Sequence, residues 1–152
     1  MHLVLFEPRI PPNTGNIARL CAATETPLHL IEPLGFSLED RHLKRAGLDY
    51  WPYVDVRVWP DWTAFASEIG SGRRVVLTSA RAHSSLYDFR FRDLDMLVLG
   101  PETEGLPDWL LNSYPDCLRV PIWGRVRSLN QANAAAICLF EAYRQAGRFR
   151  SP

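Results

Sequence analysis

Apolar residues fall in short runs separated by polar, Pro-bearing and Gly-bearing stretches. Six runs predict strands: Leu3 to Phe6, Leu28 to Ile31, Val54 to Trp59, Arg74 to Thr78, Met96 to Leu99 and Leu118 to Ile122. Helical segments are predicted between several of them, at Asn16 to Thr24, Asp40 to Gly47, Asp61 to Ile69 and Pro107 to Ser113. A long final helix is predicted over Ser128 to Ala146. Strands alternating with helices predict an α/β fold, a mainly parallel sheet with helices on both faces. Parallel neighbours need crossover connections, and this spacing supplies them. The 152 residues suit a single domain over 1–152 that buries a core without disulfides.

The final helix carries the clearest end signals. Ser128 and Gln131 have capping-box spacing, and Gly147 stands where a C-cap glycine belongs. From Ala132 to Tyr143 only Asn133 and Glu141 are polar. A helix apolar nearly all round is buried on more than one side, by its own core or by a partner subunit.

Ligands of open α/β sheets bind at the carboxyl ends of strands. That directs attention to three long loops, 7–16, 100–107 and 121–130, each following a predicted strand and rich in Gly, Pro and small polar residues. There is no Gly-x-Gly-x-x-Gly and no Walker loop, so a standard dinucleotide site or a phosphate-loop NTPase is not expected. No His or carboxylate spacing suggests a metal. Ser79, His83, Ser84 and Ser85 lie close together without a nucleophile elbow, and His2, His29 and His42 show no grouping.

Charge sharpens the picture more than composition does. The formal net charge is zero, which alone argues against strong nucleic-acid binding. Its distribution argues the other way. Six acids and no base lie between Asp93 and Leu118, whereas Arg119 to Pro152 holds six arginines and one acid, Glu141. All basic residues except Lys44 are Arg, which suits bidentate phosphate contacts and stacking on bases. Cys21, Cys117 and Cys138 are odd in number and widely spaced, and are expected to be reduced and mostly buried. No apolar run approaches a membrane span and the N-terminus lacks signal-peptide character, so a cytoplasmic protein is expected.

The three loops carry a resemblance. Glu7-Pro8, Ile10-Pro11-Pro12-Asn13-Thr14-Gly15-Asn16-Ile17-Ala18-Arg19-Leu20-Cys21, Ile31-Glu32-Pro33, Arg45-Ala46-Gly47-Leu48-Asp49-Tyr50, Gly100-Pro101-Glu102-Thr103, Gly105-Leu106-Pro107 and Arg127-Ser128-Leu129-Asn130 occur in this order. With them the chain resembles the SPOUT-class, trefoil-knotted RNA methyltransferases. It is most similar to the small stand-alone tRNA 2'-O-methyltransferases acting on the wobble nucleotide, position 34. The resemblance covers nearly the whole chain. It implies a C-terminal knot, S-adenosylmethionine as methyl donor, no metal, a homodimer with the site near the interface, and the tRNA anticodon loop as partner. Methylation of rRNA, or RNA binding without catalysis, are the competing readings. An rRNA enzyme would often add an RNA-binding domain, for which this length leaves no room.

By motif, the cofactor pocket would involve Leu77, Gly100, Glu102, Val120 and Ser128, and catalysis Arg19 and Asn130. The residue types agree, but each has a structural alternative. Gly100 lets backbone approach a ligand or makes a turn. Leu77 and Val120 flank an adenine or pack in the core. Ser128 touches ligand or caps the helix. Glu102 contacts ligand or caps the helix of Leu106. Asn130 and Asn133 touch substrate or satisfy backbone groups. Arg19 would orient and polarise the ribose hydroxyl, because a permanently charged guanidinium is no simple base. The basic C-terminal third, with Arg125, Arg127, Arg148 and Arg150, is the expected RNA surface, joined by Arg41, Lys44 and Arg45. Trp123 is a base-stacking candidate or a hydrophobic anchor. Glu104, Gln131-Ala132 and Phe140 depart from residues common in the family.

Overall fold

The computed structural model describes residues 1–38, 50–69 and 72–149. Seven strands, β1 (His2–Phe6), β2 (Leu28–Ile31), β3 (Val56–Trp59), β4 (Val75–Thr78), β5 (Ser84–Ser85), β6 (Met96–Leu99) and β7 (Cys117–Arg119), form one sheet in the order β3-β2-β1-β6-β4-β7-β5. Every pairing is parallel. Helices α1 (Pro11–Thr24), α2 (Trp62–Ile69), α3 (Asp108–Ser113) and α4 (Gln131–Gln145) flank it, and a short 3-10 turn spans Trp51–Tyr53. The helix expected over Asp40 to Gly47 lies outside the described residues.

Side chains alternate along each strand and sort onto two faces. Leu3, Leu5, Leu28, Leu30, Leu97 and Leu99 join Ile17, Ala18 and Cys21 of α1 and Ala135, Cys138 and Leu139 of α4 in one core. Val4, Phe6, Ile31, Leu77, Met96 and Val98 pack against Trp62 and Phe65 of α2 and Leu110 of α3 in the other. Helices therefore cover both faces, and the central strands read as unbroken apolar runs because neither face meets water.

Several elements depart from the sequence expectation by more than a residue or two. Helix α1 begins at Pro11 and not at Asn16, because two prolines fill its first positions with φ already preset. The two-residue strand β5 is too short to leave a pattern. Strand β7 ends at Arg119 and does not reach Ile122. Helix α4 is capped by Asn130, whose Oδ1 accepts from the backbone N–H of Ala132 at 2.9 Å and Asn133 at 3.3 Å. The Ser128–Gln131 capping box is thus not formed.

The other end of α4 is as expected. Gly147 has φ 73°, its N–H bonds the carbonyl of Arg144, and the N–H of Arg148 bonds that of Tyr143. That double bond pattern is a Schellman motif, which needs a left-handed residue at the glycine position. The buried thiols of Cys21 and Cys138 are pushed up to about 12 by burial, as befits small hydrophobic core residues. No helix among the described residues is long and apolar enough to cross a membrane.

Candidate active site

The strand order reverses beside β1, so the loops leaving β1 and β6 flank the point where α/β sheets bind ligands. The segment after β7 crosses the carboxyl ends of the central strands to reach them. Gln131 donates from Nε2 to the carbonyl of Gly100 at 2.8 Å, and Asn130 donates from Nδ2 to Oδ1 of Asn13 at 2.9 Å. Asn13 in turn donates from its own Nδ2 to Glu102 at 3.2 Å. The three loops singled out in the sequence are therefore one hydrogen-bonded unit.

Glu102 is the hub. Its carboxylate accepts from the backbone N–H of Arg9 at 2.9 Å and of Ile10 at 3.1 Å, besides Asn13. Helix α1 has Ile10 at its N-cap and no side-chain cap of its own. Glu102 supplies a negative charge and acceptors where the helix dipole favours them. It caps α1, and not the helix that follows Leu106. Asn13, buried in the first turn of α1, is the member that sequence reasoning passed over. The absence of Ser, Thr, Asp or Asn ahead of Pro11-Pro12 was the signal that a cap had to come from elsewhere.

Gly100 is required by its own loop. A Cβ there would stand 2.4 Å from the backbone nitrogen of Leu106 and 2.6 Å from the carbonyl carbon of Gly105. The close approach is thus to the returning chain. Leu77 is wholly buried in the α2/α3 core, so only its backbone faces the strand end. Val120 is half-buried against the α1/α4 core, and Ser128 is exposed. Gln131 Oε1 and Thr14 Oγ1 are buried without a hydrogen-bond partner among the described residues.

Arg19 is exposed on α1, its guanidinium 4.5 Å above the ring of Tyr50. It shares an exposed stripe with Pro12, Asn16 and Ala23, whereas Asn13, Ile17 and Ala18 face inward. The fold therefore does not bring Arg19 to the Asn13–Glu102 unit of its own chain. Arg125 and Arg127 are exposed beside Trp123, which is 94% exposed and so anchors no core of this chain. Arg148 lies elsewhere: α4 runs about 22 Å at helical rise, and Arg148 follows its far end, stacked 4.7 Å over Tyr143. The basic third is thus split between two ends of the molecule. Arg41, Lys44, Arg45 and Arg150 lie outside the described residues. A cleft of about 410 Å³ lined by Phe6, Arg81, Glu104 and Trp109 among others adjoins the 100–107 loop without including Leu77, Gly100, Val120 or Ser128.

Residues 1–140 match the SpoU rRNA Methylase family. The chain belongs to this family of SPOUT methyltransferases. A tRNA (cytidine(34)-2'-O)-methyltransferase from Methylovorus glucosotrophus is 47% identical over 145 residues, 94% of each chain. A solved structure described by the 2-OH methylation of C/U34 on tRNA is 51% identical, with a TM-score of 0.93 over 97% of this chain and 96% of that one. The SpoU methyltransferase AviRb from Streptomyces viridochromogenes, in complex with the cofactor AdoMet, is 25% identical with a TM-score of 0.84, and covers 99% of this chain but 59% of its own. The parallel sheet, with β7 set between two strands that precede it in the chain, is consistent with the trefoil-knotted fold of the class.

Proposed function

We propose that the protein transfers a methyl group from S-adenosylmethionine to the ribose 2'-hydroxyl of the wobble cytidine of tRNA. The observation that carries this reading is the end-to-end match to a structure concerned with C/U34, at a TM-score of 0.93. The tRNA (cytidine(34)-2'-O)-methyltransferase of Methylovorus glucosotrophus, matched over 94% of each chain, favours tRNA over the rRNA alternative. A non-catalytic relative is disfavoured because Arg19, Gly100, Glu102, Ser128 and Asn130 are all present.

The residues at the strand ends fit the cofactor. The unpartnered buried acceptor of Gln131 belongs to a side chain already bonded to Gly100, and the cofactor's ammonium and hydroxyl groups are donors. Val120 offers half-buried apolar surface beside it. S-adenosylmethionine, when bound, supplies an electrophilic methyl group on a cationic sulfur. The protein must then hold the hydroxyl in line, and much of its catalytic power can come from that positioning. Arg19 holds the 2'-oxygen and stabilises the charge that builds on it, while a phosphate or water takes the proton. Asn130 and Glu102 have their side chains engaged within the loop unit, so in this reading they position loops and do not touch the reacting oxygen.

Arg19 faces away from its own loop unit, and this supports a homodimer in which it serves the partner's site. Phe140 on α4 is 45% exposed, stacked on exposed Phe149, on the face of the sheet that α1 shares. Phe140→Arg leaves the monomer's fold intact, because the side chain is already exposed, but should halve the mass seen in sedimentation and abolish transfer. Dimers of unchanged stability would refute this interface. A tRNA substrate supports action in the cytoplasm. For the function itself, unmodified total tRNA is incubated with methyl-labelled cofactor in chelator and the label is mapped. The reading requires label on the 2'-oxygen of nucleotide 34; label elsewhere, or none, would refute it.

A further inference from the structure

The loop after β7 carries an aromatic side chain that the fold leaves unused. Trp123 is 94% exposed, whereas Trp62 is 9% and Trp109 52% exposed. Ile122 and Val126 beside it are also exposed, so residues 122–128 form a surface segment with no core beneath it. Arg125 and Arg127 in the same segment make no ion pair among the described residues, in contrast to Arg74, Arg81 and Arg144. The segment is nonetheless anchored at its far end, through Asn130 on Asn13 and Gln131 on Gly100. An indole without partners, two free guanidiniums and a fixed base at the ligand end of the sheet make a stacking platform with adjacent phosphate contacts.

Building on the tRNA reading above, we propose that Trp123 stacks on an anticodon-loop base next to the target nucleotide, while Arg125 and Arg127 neutralise the phosphates on either side. Bases have π-faces whatever their identity, so this contact sets affinity and orientation for a splayed single strand and does not read a particular letter. With no acid beside them among the described residues, the two guanidiniums keep their charge for a polyanion, and the neighbouring indole adds the stacking surface that a single strand offers bases to. Cation and ring together also hold the strand at the mouth of the cofactor loops, where Gly100 and Ser128 lie along the chain on either side of β7.

The test uses the full-length protein and an unmodified anticodon stem-loop. Trp123→Ala should raise KM for the RNA by about 5- to 150-fold, the range expected for loss of one base–aromatic stack. Its kcat at saturating RNA and its affinity for S-adenosylmethionine should stay near wild type. Trp123→Phe should recover most of the loss, which a merely structural role would not predict for an exposed side chain. Arg125→Gln should lower the salt dependence of RNA binding by about one unit of slope. Binding of the stem-loop without cofactor reads the contact independently of transfer. An affinity for RNA unchanged by Trp123→Ala would overturn the proposal even if the wild type methylates tRNA. Loss of the dimer in that variant would overturn it too, by assigning Trp123 to a second copy of the chain. Failure of the wild type to methylate tRNA, with stem-loop binding still sensitive to Trp123, would instead count against the methyltransferase reading alone.

Discussion

At the amino-terminal ends of the strands, Arg74 meets Asp95 at 2.6 Å and His2 stacks on His29, which also accepts from the indole of Trp59, the last residue of β3, at 3.0 Å. At the carboxyl-terminal ends, the Asn130–Asn13–Glu102 unit is equally well bonded, yet Trp123, Arg125 and Arg127 beyond it make no such contact among the described residues. One end closes its polar groups on themselves and the other keeps a part free. Breaking contacts at the first end should cost stability without touching chemistry. Breaking the unit at the second should cost less stability and more function.

The largest stability loss is expected at Asp95, which is 1% exposed and accepts from Arg74 at 2.6 and 2.9 Å and from the N–H of Arg92 at 2.8 Å. Asp95→Ala removes the buried carboxylate between Arg74 and the N–H of Arg92, leaving Arg74 with Asp116 and the carbonyl of Arg90, and should cost about 3 kcal/mol in denaturant unfolding. Cofactor affinity per folded molecule should be unchanged; a matching loss of affinity would erase the distinction between the ends. Asn13→Ala comes next. It leaves the amide of Asn130 unpaired and removes one donor from Glu102, so a loss of about 1–3 kcal/mol is expected. Calorimetry should show weaker cofactor binding as well, because the Gly100 and Asn130 loops lose their link. Retention of full cofactor affinity would mean the unit is structural only.

The smallest effect is in pH. Burial lowers both His2 and His29 from 6.5 to about 4, with Arg73 the next cause at His2 and the charge of His2 the next at His29. The unfolded chain therefore binds protons first as pH falls, and stability drops between about pH 6.5 and 4. Glu141, held below its usual value by Arg144, adds loss in the same direction at the acid end. His2→Gln should make the melting temperature less steep in pH across that window. An unchanged slope would show that the pair is not what titrates.

Much of this contrast was legible in the sequence. Leu3 to Phe6 and Met96 to Leu99 read as buried strands because apolar runs of that length have few other uses. The three loops were found because they follow strands and hold unusual Gly and Pro. The roles inside them were not, because they are tertiary. Glu102 caps a helix that begins ninety-odd residues before it. Asn130 replaces Ser128 as a cap because it can also reach Asn13. Gly100 is the exception, since its close approach to Leu106 within its own loop is the turn alternative that the sequence offered. His2 and His29 meet only because β1 and β2 pair in register. The final helix expected over Ser128 to Ala146 already separated Arg148 from Arg127, and a single basic surface drawn over both overlooked it.

The central claim is that Arg19, exposed and outside the bonded unit, acts on the ribose hydroxyl. Arg19→Ala tests it most directly, by single-turnover transfer to tRNA, with methylated sites read by their resistance to alkaline cleavage. The account predicts a rate lower by about 100- to 1,000-fold. Fold and cofactor affinity should be retained, because among the described residues the guanidinium's contact is the ring of Tyr50. Near-wild-type protection of nucleotide 34 by Arg19→Ala would contradict the account and leave Arg19 a surface residue of α1.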